Sequence, residues 1–262
     1  VKERADRLLV QQGLAETRQK AQALIMAGLV FYEGTKVEKP GQPMDLGARL
    51  EVKSPLPYVS RGGLKLAEAL EVFQVEIAGK VVADLGASTG GFTDCLRQRG
   101  AKKIYAVDVD PRQLDWHLRQ DKRVITLKKN ARYLEKNDFS EPLELVTCDL
   151  SFISLLKILP ALRRLLEKGE VLALIKPQFE AEKHQVGKKG VIRDQAVHQA
   201  VLEKVLSGAS EAGFYVHGLH KCQVKGQKGN QEFFVHWVVD EILFPWAKVL
   251  ELIKETVWDE RH

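Results

Sequence analysis

The chain reads as an α/β protein: a Rossmann-like, mostly parallel sheet ending in an antiparallel C-terminal hairpin, preceded by a small α+β domain. Three observations predict this. From residue 61 onward, apolar runs of strand length alternate with helical or loop stretches, the rhythm of an open sheet covered on both faces. The last two such runs are joined by the Lys- and Gly-rich turn GQKGN and so form a hairpin. Ahead of residue 53 the pattern is helix, helix, then short strands. With 262 residues, 45% of them apolar, there is chain enough for one large domain and one small one.

In order along the chain, Leu8, Leu9 and Leu14 form one apolar set, Thr17 is placed to cap a second helix, Ala21, Leu24 and Ile25 give its inner face, and Gly28 stops it. VFYEGTKVEKPGQPMDLGARLEVKS then alternates and turns at EG, PGQP and LG like short strands. The first domain is therefore expected over 1–52. KSPLPY, with its two prolines, excludes helix and sets a linker at 53–60. The large domain, 61–239, carries the strands KVVADLG, KKIYAVDVD, RVITLKKN, LELVTCDL and VLALIKP. Between them lie helical or loop stretches such as GFTDCLRQRG and SLLKILPALRRLLEK, and FYVHGLHKCQV and EFFVHWVVD make the hairpin. Residues 240–262 form an amphipathic C-terminal helical tail.

The net charge of +5 and pI near 9.0 suit a polyanionic partner without requiring one. Lys183, Lys188, Lys189 and Arg193 cluster in one Gly-containing stretch, and Lys221, Lys225 and Lys228 in another. No apolar run has the length of a membrane span, and VKERADRLL is charged where a signal peptide is hydrophobic, so a cytoplasmic location is the expectation. Val1 implies that a leading Met or short extension is missing from the sequence. Cys95, Cys148 and Cys222 are widely spaced and form no CxxC pair, which argues against a disulfide framework and a zinc site. The histidines show no metal-ligand spacing, and no metal is expected.

The first strand of the large domain runs into ADLGASTGGFTD, where Gly86, Gly90 and Gly91 allow close backbone approach to a ligand ahead of a helix N-terminus. The spacing departs from GxGxxG, which disfavours a dinucleotide. Asp108, closing the second strand, suits the two hydroxyls of a ribose. Asp84, beside the turn, attracts a cation, so a sulfonium- and ammonium-bearing nucleoside such as S-adenosylmethionine fits better than NAD. LALIKPQFE poses a second question, because an apolar strand ends in Lys176. A lysine there either snorkels into water or has a chemical use.

Taken together, DLGASTGGFTD, the preceding SRGGLKL, CDLSFIS, IKPQFE and GNQEFF resemble the TlyA-type RNA methyltransferases, relatives of the FtsJ-type ribose 2′-O-methyltransferases. Residues 2–52 resemble the small RNA-binding domain named after ribosomal protein S-four, and the whole resemblance runs to about residue 239. It implies S-adenosylmethionine as methyl donor, and ribosomal RNA or ribosomal subunits as partner with cytidine ribose as target. The matched catalytic set is Lys65, Asp149, Lys176 and Glu232. In this reading Lys176 takes the hydroxyl proton, Asp149 orients it, and Glu232 positions Lys65 against the hydroxyl or its phosphate. Lys176 can accept a proton only after giving up its own, which partial burial and a nearby cation both favour. Asn130 is implied near the adenine and Ser88 and Thr89 near the methionine carboxylate. Arg4, Arg7, Arg18, Gln19 and Lys20 are implied on the RNA face, with Lys188 and Lys189 adding to it. Phe152 and Phe179 could stack a flipped base, although both read first as core. One departure is the linker, where the best-known relative has a charged-aromatic tetrapeptide and this chain has SPLPY before Val59. Three other readings stand beside this one. They are a membrane-active haemolysin, the label some relatives carry; a non-catalytic RNA-binding protein with a retained cofactor pocket; and, for residues 2–52, a helical oligomerisation module.

Overall fold

The computed structural model describes residues 2–53 and 57–258, so Ser54, Pro55 and Leu56 of the expected linker lie outside the described residues. The chain divides into two compact units, Val1–Leu56 and Pro57–His262.

In the first unit β1 (Lys2–Arg4) runs into α1 (Ala5–Gln11), followed by α2 (Arg18–Met26), β2 (Val30–Tyr32), β3 (Thr35–Lys36), β4 (Pro43–Asp45) and β5 (Leu50–Val52). Ala5, Leu8 and Leu9 from α1 and Ala21 and Ile25 from α2 close over Val30 and Leu50 as its core. Thr17 Oγ1 accepts from Lys20 N at 3.2 Å, capping α2 as the spacing predicts, and Gly28 (φ +70°) turns the chain beyond the helix end. Two details differ from expectation. Lys2–Arg4 is a strand, paired antiparallel with Pro43–Asp45; three charged residues carry no local pattern, and the partner comes only after both helices. Leu14 is exposed, because it follows Gly13 in the turn between the helices rather than lying on α1.

The second unit contains α3 (Arg61–Phe73), β6 (Val81–Leu85), α4 (Gly91–Gln98), β7 (Lys103–Asp108), α5 (Trp116–Gln120), β8 (Val124–Lys128) and β9 (Leu145–Cys148). It continues with α6 (Leu159–Leu165), β10 (Glu170–Ile175), α7 (Pro177–Glu180), α8 (Gln195–Glu211), β11 (Phe214–Lys221), β12 (Phe233–Val239) and α9 (Trp246–Trp258). The sheet order is β11-β12-β10-β9-β6-β7-β8, with β8, β7, β6, β9 and β10 parallel and β12 antiparallel to both neighbours. Strand residues alternate between two cores. Ala83, Leu85 and Val107 join α6, α8 and α9 on one face, whereas Val82, Ile104 and Leu172 join α3 and α4 on the other. The C-terminal helix covers Trp246–Trp258, and its buried Val249, Ile253 and Val257, one per turn, belong to the first of these cores. Among the described residues α8 is the longest helix, and its Val201, Leu202, Val205, Leu206 and Ala209 are all buried.

This topology builds one functional edge. Strands β6, β7, β9 and β10 are parallel, so Leu85, Asp108, Cys148 and Ile175 end at the same side of the sheet. Because β12 runs the other way, its first residue, Phe233, pairs with Ile175, the last of β10. Gly86, Asp149, Lys176 and Glu232, each one residue beyond a strand, therefore converge.

Candidate active site

The residue after β10 is Lys176, and Pro177 then opens the single-turn helix α7, its fixed φ suiting the first helical position. The lysine is thus held between a buried strand and a rigid turn. Its Nζ lies 2.6 Å from Asp149 Oδ1 and 2.9 Å from Ser151 Oγ, with 11% of the side chain exposed. The contact with Asp149 is an ion pair off the hydrogen-bonding direction, and Oδ1 makes no aligned hydrogen bond. Asp149 is fixed through its backbone, since its N–H donates to Leu85 O at 3.0 Å. Gly86 (φ +86°) makes that approach feasible, because a Cβ there would stand 2.6 Å from Asp149 O.

A second pair is better sealed. Lys65, on the inner face of α3 beside buried Leu66, donates to Glu232 Oε2 at 2.6 Å, and the two side chains are 10% and 3% exposed. Gly226 packs directly on the Glu232 carboxylate, where any side chain would collide. One member of each ion pair reaches a common opening. Lys65 and Asp149 line a cleft of about 130 Å³ with Ser60, Gly62, Thr89 and Phe92. A larger cavity of about 580 Å³ shares Gly86, Ser88 and Asp149 with it and extends past Asp108, Lys129, Asn130 and Phe152. A cavity of similar size between Lys136, Phe139, Leu143 and Glu167 contains none of these strand-end groups, so chemistry rather than volume distinguishes the site.

Within the larger cavity, Asp108 is oriented by two backbone donors, Ser88 N on Oδ2 and Asp110 N on Oδ1, each at 2.9 Å. Each oxygen keeps a lone pair for a hydroxyl. Asn130 is exposed and uses Oδ1 to cap the following turn, accepting from Arg132 N at 3.0 Å, which leaves its Nδ2 to donate. Thr89 and Gly91 line the smaller cleft. Gly90 (φ +98°) borders neither; it packs on Leu114 and Leu118 and caps α4. These residues fit a nucleoside with a cationic tail: a carboxylate at the ribose position, an amide beyond it, and a glycine-lined passage toward Asp149.

Two expectations are corrected. Asp84 does not reach the cavity. It has the strand parity of Val82, faces α4 and is fully buried, with Oδ2 accepting from Thr93 Oγ1 at 2.7 Å and Oδ1 from Thr147 Oγ1 at 3.1 Å. Burial among neutral partners pushes its carboxyl up to about 7. Phe152 is not core. It is 88% exposed at φ +64°, with its ring 4.9 Å from that of half-buried Phe179 at the rim of the larger cavity.

Sequence reasoning also missed Ser151 and Glu180. Buried Glu180 accepts from Ser154 Oγ at 2.6 Å and Leu155 N at 2.7 Å, tying the turn that carries Lys176 to the loop that carries Asp149. The available signal was the acid closing IKPQFE, directly after a predicted strand and turn. Of the basic residues assigned to RNA, Arg4 and Arg18 both bind Asp6, Arg7 lies 3.8 Å from Glu3, and Lys20 pairs with Glu16. Gln19 and Lys189 are exposed, the latter at φ +71°. The Lys188 side chain lies outside the described residues.

A parallel sheet with one reversed strand next to its edge, and a ligand cavity at the strand ends between a glycine turn and an acid, defines a Rossmann-like methyltransferase. The chain belongs to the FtsJ-like methyltransferase family, which residues 58–238 match, and residues 3–50 match the S4 domain. It is 51% identical over 239 residues to YqxC of Bacillus subtilis, provisionally named an rRNA methyltransferase, with 90% of this chain and 85% of that protein covered. It is 42% identical over 236 residues to the Mycobacterium tuberculosis protein named 16S/23S rRNA (cytidine-2′-O)-methyltransferase TlyA, covering 88% of each. Among solved structures, a Streptococcus thermophilus protein provisionally called a hemolysin superposes with a TM-score of 0.74 at 45% identity, covering 97% of this chain and 95% of that one. Among the described residues no helix is long and apolar enough to cross a membrane.

Proposed function

We propose that this methyltransferase uses S-adenosylmethionine to methylate the 2′-hydroxyl of a cytidine in ribosomal RNA, acting on ribosomal subunits or their RNA in the cytoplasm. The observation that carries this reading is the placement of two lysine–carboxylate pairs, Lys176–Asp149 and Lys65–Glu232, at the strand ends, where Asp149 borders both the larger cavity and the smaller cleft and Lys65 borders the cleft. When bound, S-adenosylmethionine supplies an electrophilic methyl group on sulfur. Asp108 would hold the ribose diol, Asn130 the adenine edge, and Ser88, Thr89 and Gly91 the amino-acid end.

The chain's own residues then have two tasks, alignment and proton removal. Lys176 Nζ donates to Ser151 Oγ and lies beside Asp149 off the hydrogen-bonding direction, which leaves room at Nζ for an incoming hydroxyl. A neutral Lys176 takes the hydroxyl proton as the oxygen attacks, and Asp149 stabilises the ammonium that results. Lys65, held by Glu232, meets the hydroxyl or the adjacent phosphate and fixes the line of attack. Exposed Phe152, backed by Phe179, offers a stacking face for a base lifted out of its helix.

The test is transfer of labelled methyl from S-adenosylmethionine to purified ribosomal subunits and to their RNA, with 2′-O-methyl positions mapped by mass spectrometry. The expected result is one or a few cytidines methylated on ribose only in the presence of enzyme. RNA binding without methylation at any enzyme level would leave a binding protein, and methylation confined to a base would overturn the ribose assignment. Leakage of liposomes by protein that methylates nothing would favour the haemolysin reading.

A further inference from the structure

Three groups at the reacting end of the site ride on one short loop. Asp149 meets Lys176, Ser151 accepts from it, and Phe152 stands at the cavity rim in a left-handed backbone that an aromatic residue rarely adopts. The start of this loop is tied to β6, where Asp149 N donates to Leu85 O. Its far end is tied to Glu180, which is 4% exposed: Ser154 Oγ donates to Oε2 at 2.6 Å and Leu155 N donates to Oε1 at 2.7 Å. Glu180 also closes the turn that presents Lys176. That turn is α7, four residues long and too short to hold its shape alone. Its end is fastened to α8, because Lys204 Nζ donates to Glu180 O at 3.1 Å. One residue therefore joins the lysine's turn, the carboxylate's loop and a long helix behind both.

Among the described residues no basic side chain forms an ion pair with the Glu180 carboxylate, and burial pushes its carboxyl up from the ordinary value. A buried acid without a close counterion is costly, so what the fold uses here is its reach and its two acceptor oxygens. We infer that Glu180 is a positioning residue for the methyl transfer. It sets the spacing between Lys176 on one side and Asp149, Ser151 and Phe152 on the other, through hydrogen-bond geometry and not through charge. The inference rests on the proposed methyl transfer and adds to it a residue that lines neither the cavity nor the cleft.

Two variants of the full-length protein separate reach from charge. Glu180→Gln loses the charge and keeps the length: its Oε1 can take Leu155 N and its Nε2 can donate to Ser154 Oγ, since a hydroxyl accepts as readily as it donates. Glu180→Asp keeps the charge and falls one methylene short. Single-turnover transfer of labelled methyl to ribosomal subunits should drop about ten- to a hundredfold in Glu180→Asp and stay within about threefold of the parent in Glu180→Gln. Backbone hydrogen exchange should quicken across residues 150–156 and 178–181 in Glu180→Asp alone, while S-adenosylmethionine affinity by calorimetry is unchanged in both. A loss in Glu180→Gln as large as that in Glu180→Asp overturns the inference, and so does quickened exchange at an undiminished rate, which would leave Glu180 a stability residue only. If circular dichroism shows that Glu180→Asp has lost structure, Ser154→Ala decides alone. It removes one strap at a half-buried position and should slow transfer about three- to tenfold, the worth of one hydrogen bond, whereas a wild-type rate overturns the inference. Absence of methyl transfer by the parent protein would instead overturn the functional reading on which the inference rests.

Discussion

The two lysine–carboxylate pairs differ in construction although their chemistry is the same. Lys65 and Glu232 are almost sealed from solvent and joined by an aligned hydrogen bond, with Gly226 pressed on the carboxylate. Lys176 touches Asp149 off the hydrogen-bonding direction, shares itself with Ser151, and faces an acid that keeps 24% of its side chain exposed. A buried, aligned pair holds a charge in place, since separating it leaves an uncompensated ion. A looser pair at the edge of solvent leaves its members room to meet a third group. On the proposed mechanism, one fold edge uses the same two residue types as a fixture and as an exchanger.

The largest effect should come from breaking the exchanger. Lys176→Ala should lower methyl transfer by about 10²–10⁴-fold, the range for loss of a general base, while S-adenosylmethionine binding measured by calorimetry stays near wild type. Full activity in that variant would remove Lys176 from the chemistry. Breaking the fixture should show in stability instead: Glu232→Gln strands the buried Lys65 ammonium and should cost about 3 kcal/mol in denaturant unfolding. Asp149→Asn, at the more open pair, should cost clearly less, and equal losses would erase the distinction.

Asp84 sharpens the comparison as a buried acid bonded to the hydroxyls of Thr93 and Thr147 and to the Thr93 N–H. Its folded-state pKa of about 7 lies above the roughly 3.9 of an unfolded aspartate, so the native state binds this proton more tightly. Its contribution to stability is therefore full below about pH 4, declines as pH rises toward 7, and is level above that. Asp84→Asn does not titrate there and should gain on the parent protein over the same window. A stability difference that stays flat from pH 4 to 8 would contradict the burial argument.

Much of this was legible in the chain. Parallel strands buried on both faces read as continuous apolar runs, and VVADL, LVTC and VLALI show them without ambiguity. The strand-end residues Asp108, Asp149 and Lys176 could be located because each directly follows or closes such a run. What sequence could not carry was orientation. Asp84 is one residue from Leu85 and two from Gly86, yet strand parity turns it toward α4 and away from the ligand side. Phe152 reads as core because it is aromatic, but a left-handed backbone carries it outward. Only the fold brings Arg18 and Gln22 of α2 onto Asp6.

The central claim is that Lys176 removes the ribose proton while Lys65 is held in place by Glu232. Chemical rescue tests it most directly. Single-turnover methyl transfer to ribosomal RNA is measured for Lys176→Ala and Lys65→Ala with and without added methylamine. Rate restored by the amine in Lys176→Ala, rising with pH as more of the amine is neutral, and no restoration in Lys65→Ala, is the predicted result. Rescue of Lys65→Ala alone, or a Lys176→Ala variant as fast as wild type without amine, would contradict the account.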